Sequence, residues 1–324
     1  MTRYRCAHEA RSRDEPLYGT ASHVRRWVLL EQPGPWGRDA VVESRLPAAV
    51  ATELEARAAE LNARLILLRR PGGRQTQRRR FFVARSDLAV VEEFAFDHVA
   101  DVLDLDLSPL AAGQPVGGEP VTAPLYLVCT NGRHDACCAE YGRPLAQALE
   151  DATGERAWEC SHIGGDRFAG NLVCFPHGLY FGHVGADEGS RVADLYDRGL
   201  IDLDRYRGRS CHPFVVQAAE YFLRAQRDLS HVDDVSYVRR RPLDDDAFRV
   251  VFAGRAQEMF SVDLRVSRAP EGRRLTCQAL LATRPPRYEL LAVMTGADSS
   301  SLSSSPPSRS GPSSSSSSPS RPRR

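Results

Sequence analysis

Nowhere does the 324-residue chain contain the roughly 20 consecutive apolar residues that a membrane helix needs. Its first residues, MTRYRCAHEARSRDEP, are charged and lack the apolar stretch of a secretory signal, so a cytoplasmic protein is expected. No GxGxxG and no P-loop occurs, which argues against a nicotinamide or nucleotide of its own. C-x-x-C, the usual signature of a thiol oxidoreductase, is also missing. Charge of either sign is nearly balanced, with a formal net charge of +1, so no global field draws the chain to nucleic acid or to a membrane. One local basic run exists (Arg69, Arg70, Arg74, Arg78, Arg79 and Arg80), and it reads as a solvated loop between strands rather than a patch for an anionic partner.

What is present suits a globular protein of two modest domains, with 42% hydrophobic and 26% charged residues. Eight cysteines stand out, because in a reducing compartment they suggest metal ligation or thiol chemistry rather than disulfides.

The pattern along the chain is α/β. Arg26-Trp-Val-Leu-Leu-Glu31 reads as a buried strand that ends at the turn cluster QPGPWG. Residues 47–62 read as an amphipathic helix, with Leu54, Ala58 and Leu61 at helical spacing. Strands follow at 64–68 and 81–83. The second half repeats that order: a strand at 125–129, a helix at 144–152 with Pro144 in its first turn, a strand at 156–161, and a hairpin turning at Pro176-His-Gly178. Helices are expected at 191–198 and 213–227. Alternating stretches at 248–252 and 275–279 suggest a small β appendage covering one edge of the second sheet. We therefore divide the chain into an N-terminal α/β half acting as scaffold or docking surface (1–118), a related second unit (119–232), the appendage (233–297) and a Ser/Pro/Arg tail (298–324) too polar to order.

The chemistry concentrates in two segments. In CTNGRHDACCAEYGRP, Cys129 closes a strand and Asp135 can cap a helix that begins near Cys137 and Cys138. A thiol at a helix start is stabilised as thiolate, the form that binds metal or attacks disulfides. In WECSHIGGDRFAGN, a strand delivers Cys160 and His162 to the same side, two residues apart. Gly164 and Gly165 then allow a tight turn before Asp166 and Arg167. Cys129, Cys138 and His162 are the main candidate ligands. Cys137 and Cys160 serve equally well as small core residues, Cys174 reads as core, and Cys6, Cys211 and Cys277 have no partner at a metal-site spacing. His134, His177 and His183 read as surface or loop residues.

Taken together, these segments resemble the sucrase/ferredoxin-like family. The likeness is carried, in order, by GTAS with RWVLLEQPGPWG, then VCTNGRHDACCAEYGRP, CSHIGGDRFAGNLVCFPHGLYFG and GRSCHPFVVQAAE. It implies a thioredoxin-like ferredoxin domain over 119–232 holding one [2Fe-2S] cluster. The family's C-x8-C pair is matched by Cys129 and Cys138, and the first histidine of an H-x-G-G-H pattern by His162. Asp166 stands where the second histidine is expected, so the fourth ligand stays open among Cys160, Asp166, Cys137 and Cys211, with Arg133, Gly164, Gly165 and Arg167 around the cofactor. If Cys160 ligates, Asp166 instead hydrogen-bonds His162 or pairs with Arg167. An imidazole in place of a thiolate raises the reduction potential and can couple it to pH.

The expected activity is thus electron transfer with a redox partner protein, acidic enough to meet Arg133, Arg143 and Arg167, and with no small-molecule substrate of its own. No catalytic residue is expected, and no carboxylate pair supports sugar cleavage. Two other readings stay open: a thioredoxin-like thiol protein using Cys129, Cys137 and Cys138, and a structural zinc site using Cys129, Cys138, Cys160 and His162.

Overall fold

In the run RWVLLE, β1 (Arg26–Glu31), every residue after the first is buried, as a strand covered on both faces requires. The computed structural model describes residues 4–74 and 77–296, so the expected tail at 298–324 lies outside the described residues. A short helix α1 (Cys6–Ser12) precedes β1, and α2 (Ala48–Glu60) crosses from β1 to β2 (Ala63–Arg69), which pairs with it in parallel. β3 (Arg79–Arg85) returns antiparallel on the other side of β1, and β4 (Val90–Phe96) continues the meander to a two-residue edge strand β5 (Glu119–Pro120) beyond α3 (Pro109–Ala112).

The second half repeats this plan. α4 (Ala136–Thr153) links β6 (Leu125–Cys129) to the parallel strand β7 (Ala157–Cys160), and β8 (Leu172–Phe175) and β9 (Leu179–Phe181) form the expected hairpin on the far side of β6. β2 pairs antiparallel with β7, and α5 (Gly189–Asp197) leads on to the edge strand β10 (Tyr206–Arg209). The result is one ten-stranded sheet in the order β10-β9-β8-β6-β7-β2-β1-β3-β4-β5, in which β2-β1-β3-β4 and β7-β6-β8-β9 share one topology.

Two local expectations change. The helix expected to start near Cys137 and Cys138 does so, with the Asp135 side chain accepting the Cys137 N–H at 2.9 Å, but it runs on through 144–152 as one helix, where a separate start at Pro144 was expected. Pro144 therefore lies inside α4, where its missing N–H leaves the Glu140 carbonyl without a helical donor. The appendage is a four-stranded antiparallel sheet of β11 (Val235–Pro242), β12 (Ala247–Gly254), β13 (Met259–Arg268) and β14 (Pro286–Thr295). It packs on the apolar face of α6 (Phe214–Arg227), through Val216, Ala219 and Leu223, rather than directly on a sheet edge, and α6 itself packs against β10. Residues 275–279 join no strand of this sheet. They lie in the β13–β14 connection, where the Cys277 N–H donates to the Asp135 carboxylate at 2.6 Å instead of to a neighbouring strand.

All 43 cationic Lys/Arg positions are arginine, and several are buried. In α6, Glu220 is 1% exposed and accepts from Arg209 Nε and Arg224 Nε, both at 3.0 Å, with His212 Nδ1 at 3.3 Å. Arg224 also donates to the carbonyls of Leu229, His231 and Val232, closing the end of the helix. Burial opposes charge on both acid and base, but the two arginines and His212 hold the Glu220 carboxyl well below its usual range. Burial likewise disfavours imidazolium at His212, yet contacts with Cys211 and Glu220 raise it to about 9. A raised histidine contributes stability that is complete below its unfolded pKa, about 6.5, and lost as pH climbs through the folded value. Urea unfolding should therefore show a loss of about 2 kcal/mol between pH 6.5 and 9, and His212→Gln should flatten that slope.

Candidate metal centre

Cys129 is the last residue of β6 and is buried. Six residues later Asp135 starts α4, which places Cys138 in the first turn of the helix. Gly142, one turn further on, explains how close helix and strand come. A Cβ there would lie 2.1 Å from the Cys129 carbonyl oxygen and 3.1 Å from its carbon, both backbone atoms with no room to yield. In the intervening loop the Asn131 carboxamide oxygen accepts the N–H groups of Arg133 and His134, and its Nδ2 donates to the Gly37 carbonyl, tying the loop to the PGPWG turn of the first half.

The opposite wall descends from β7. After Cys160 and Ser161 comes His162, and then Gly164 and Gly165 take left-handed φ values of +94° and +81°. A Cβ on Gly165 would meet Arg207 Nη2 at 2.2 Å. Arg207, fully buried on β10, donates to the Gly164 carbonyl (3.2 Å), Asn171 Oδ1 (2.7 Å) and the Thr20 carbonyl (2.6 Å), and Asn171 Nδ2 donates to the Gly165 carbonyl (2.9 Å). Burial lowers the Arg207 pKa to about 9, and its Nε donates to the Thr20 hydroxyl at 3.1 Å. The Gly-Gly turn delivers Asp166 back beneath His162.

Four expected residues meet here. One donor atom each from Cys129, Cys138 and His162 lies within 4.8 Å of the others. Asp166, 3% exposed, places Oδ1 at 3.0 Å from His162 Nδ1 and accepts the Cys138 thiol at 3.3 Å. His162 Nδ1 is near enough for an ion pair but poorly aligned for a hydrogen bond, so this buried nitrogen has no well-formed hydrogen-bond partner. A hydrogen bond from Cys138 and contact with His162 overcome burial and hold the Cys129 thiol well below its ordinary value. Cys138 is pushed well up by that same bond and by burial. Burial works against charge on His162, but Asp166 and Cys129 raise it to about 9. Burial also works against the Asp166 carboxylate, and His162 holds it low nonetheless.

A fifth residue joins them. His134, read from sequence as a surface or loop residue, does sit in the turn before α4, but its ring stacks on His162 with centroids 3.6 Å apart and 19° between planes. Its Nε2 is 3.7 Å from Asp166 Oδ2, and His134, His162 and Asp166 form a second group of converging donors. The hint in the sequence was its position inside the HDACC motif. His177 and His183 sit in loops as expected, His177 half-buried and His183 buried. His177 Nδ1 lies 2.6 Å from the Tyr196 hydroxyl and burial lowers its pKa to about 4, while His183 is buried and lowered to about 3.

The other expected residues are placed differently. Cys160 sits opposite Cys129 in the β6–β7 register, with its thiol in the apolar core and outside the group of converging donors. Cys137 faces away from this site toward Cys6, and Cys211 lies beside His212. Arg133 is exposed on the loop. Arg167 is engaged, with Nε 2.8 Å from Glu15 and its guanidinium over Phe168. Gly164 and Gly165 shape the turn.

Gly142→Ala should push α4 off the end of β6. Thermal unfolding is expected to register about 1–3 kcal/mol of destabilisation, together with a clear loss of metal bound per folded chain, whereas Ala139→Gly on the helix flank should leave metal content unchanged.

The sequence profile of the Sucrase/ferredoxin-like family matches residues 17–208. A similar curated protein is "Altered inheritance of mitochondria protein 32" of Meyerozyma guilliermondii, 27% identical over 101 residues, which are 28% of this chain and 36% of that protein. The chain thus spans little more than a third of the length of that relative. No solved structure matches. With the profile covering more than half of its length and both wall segments of the centre, this chain belongs to the Sucrase/ferredoxin-like family.

Proposed function

We propose that the chain is an iron–sulfur electron carrier, with one [2Fe-2S] cluster held by Cys129, Cys138 and His162. The observation that carries this reading is the convergence of those three buried donors, one of them a nitrogen with no well-formed hydrogen bond. Two thiolates and an imidazole suit iron–sulfur ligation. The fourth position falls to His134 or Asp166, whose donor atoms lie with that of His162, ahead of Cys160, whose sulfur does not. When bound, such a cluster supplies a one-electron couple. The chain's own residues orient it: Asp166 holds His162 and His134 on one side and Cys138 on the other. The thioredoxin-like character of each half belongs to the same proposal and is supported by their shared strand order.

His162 keeps 25% of its side chain exposed and marks the side on which electrons would enter or leave. Beside the centre, Arg133, Arg143 and Arg69 line an open cleft of about 440 Å³ with Trp36 and Asn131, a basic surface for an acidic redox partner. Arg69 is already paired with Glu159, so among the described residues Arg133 and Arg143 supply the cleft's charge for a partner. No helix among the described residues is long and apolar enough to cross a membrane.

A mononuclear zinc centre is favoured by one feature, the donor spacing within 4.8 Å. Thiol exchange is disfavoured, because Cys129 and Cys138 are only 1% and 0% exposed and a substrate disulfide has no access. Anaerobic purification followed by iron, sulfide and zinc analysis decides among the three. About two irons and two sulfides per chain, with visible absorption lost in Cys129→Ser and Cys138→Ser, support the proposal. A colourless protein with zinc at these residues sinks it. Comparison of His134→Ala with Asp166→Asn then identifies the fourth ligand, as the variant that loses the cluster.

A further inference from the structure

Cys6, Cys137 and Cys277 come from the chain's beginning, middle and end, and the sequence offered no metal-site spacing among them. The fold brings them together. Cys137 Sγ lies 3.4 Å from Cys277 Sγ, and Cys277 Sγ lies 3.6 Å from Cys6 Sγ. Asp135, 0% exposed, faces them, with its carboxylate oxygens 3.6 and 3.7 Å from Cys6 Sγ. One donor atom from each of the four residues lies within 4.8 Å of the others. We propose that Cys6, Cys137, Cys277 and Asp135 form a second, structural metal site that takes a single zinc ion.

The spacing argues for one ion. Zn–S bonds of about 2.3 Å and Zn–O bonds of about 2.0 Å in a tetrahedron set S···S edges near ~3.8 Å and S···O edges near ~3.5 Å. The sulfurs and the carboxylate already stand at those separations. A disulfide would need sulfurs about 2.05 Å apart.

The surroundings also fit a cation. Asp135 accepts the N–H groups of Cys137 (2.9 Å) and Cys277 (2.6 Å), yet no arginine pairs with it among the described residues. A buried carboxylate facing three sulfurs without a counter-charge is costly, and zinc supplies that charge. The Cys6 N–H points at Cys277 Sγ at 3.5 Å, as amides do toward ligating thiolates.

The site has work to do in the fold. The β13–β14 connection, 269–285, has little apolar anchorage, with Leu280 and Leu281 exposed at 95% and 81%. Cys277 pins it to the start of α4, and Gln278 Nε2 donates to the carbonyls of His134 (3.1 Å) and Arg133 (3.4 Å). Zinc would therefore lock this strap against the loop that carries His134 of the first centre, with the adjacent residues Cys137 and Cys138 serving different ions.

The test is zinc uptake by the full chain, measured by elemental mass spectrometry. Wild type and the double variant Cys129→Ser/Cys138→Ser should both keep about one zinc per chain at this site, and Cys277→Ser, on the surface connection, should lose it at least tenfold. Cobalt in place of zinc should give intense thiolate charge-transfer absorption in the double variant and not in Cys277→Ser. Stripping zinc from folded wild type with a chelator should expose 269–285 to protease. The proposal is overturned by folded wild type that takes up no zinc, by zinc that persists in Cys277→Ser and leaves with Cys129 and Cys138, by iron at these three thiols, or by a disulfide between any two of them.

Discussion

The close approach of α4 to the end of β6 governs the geometry of the molecule's chemistry. Gly142 permits it, since any side chain there would strike the Cys129 backbone. Asp135 starts the helix at the right residue by accepting the Cys137 N–H. Together they aim the first turn so that Cys138 meets Cys129 while Cys137, one residue earlier and about 100° around the helix, faces Cys6 and Cys277. A helix beginning one residue later would put Cys138 where Cys137 stands, facing away from Cys129.

The other wall is held by buried charge instead of close packing. Arg207 is fully buried, so its donors need protein acceptors, and four hydrogen bonds go to the Gly164 carbonyl, Asn171 and Thr20. That requirement fixes the Gly-Gly turn and, through it, the depth of Asp166. Arg224 acts similarly at the end of α6, answering Glu220 and three carbonyls at once. A planar guanidinium with several donors can satisfy such sites where a single ammonium would leave acceptors unmet, which gives a use to the chain's exclusive choice of arginine.

Much of the frame was legible because it depends on local pattern. Apolar runs marked β1 and β6, the Pro-His-Gly turn marked the β8–β9 hairpin, and the repeated order of elements in the two halves matched their repeated topology. The alternation at 275–279 misled, because alternation records only which side chains are apolar, and here the backbone amide of Cys277 is claimed by a distant carboxylate. Pro144 misled differently: proline suits a helix start, but here it lies inside the helix that Asp135, named as its cap from the sequence, begins nine residues earlier.

By itself the sequence determined several strands, the Asp135 helix start and the grouping of Cys129, Cys138 and His162, since strand ends and loop length place those residues near one another within a short stretch of chain. Only the tertiary structure decided that His134 stacks on His162, that Cys160 turns into the core, and that Cys6 and Cys277 reach Cys137. The reason is sequence separation. Contacts between residues some 130 or 270 positions apart depend on how whole sheets and connections stack, and no local periodicity encodes that.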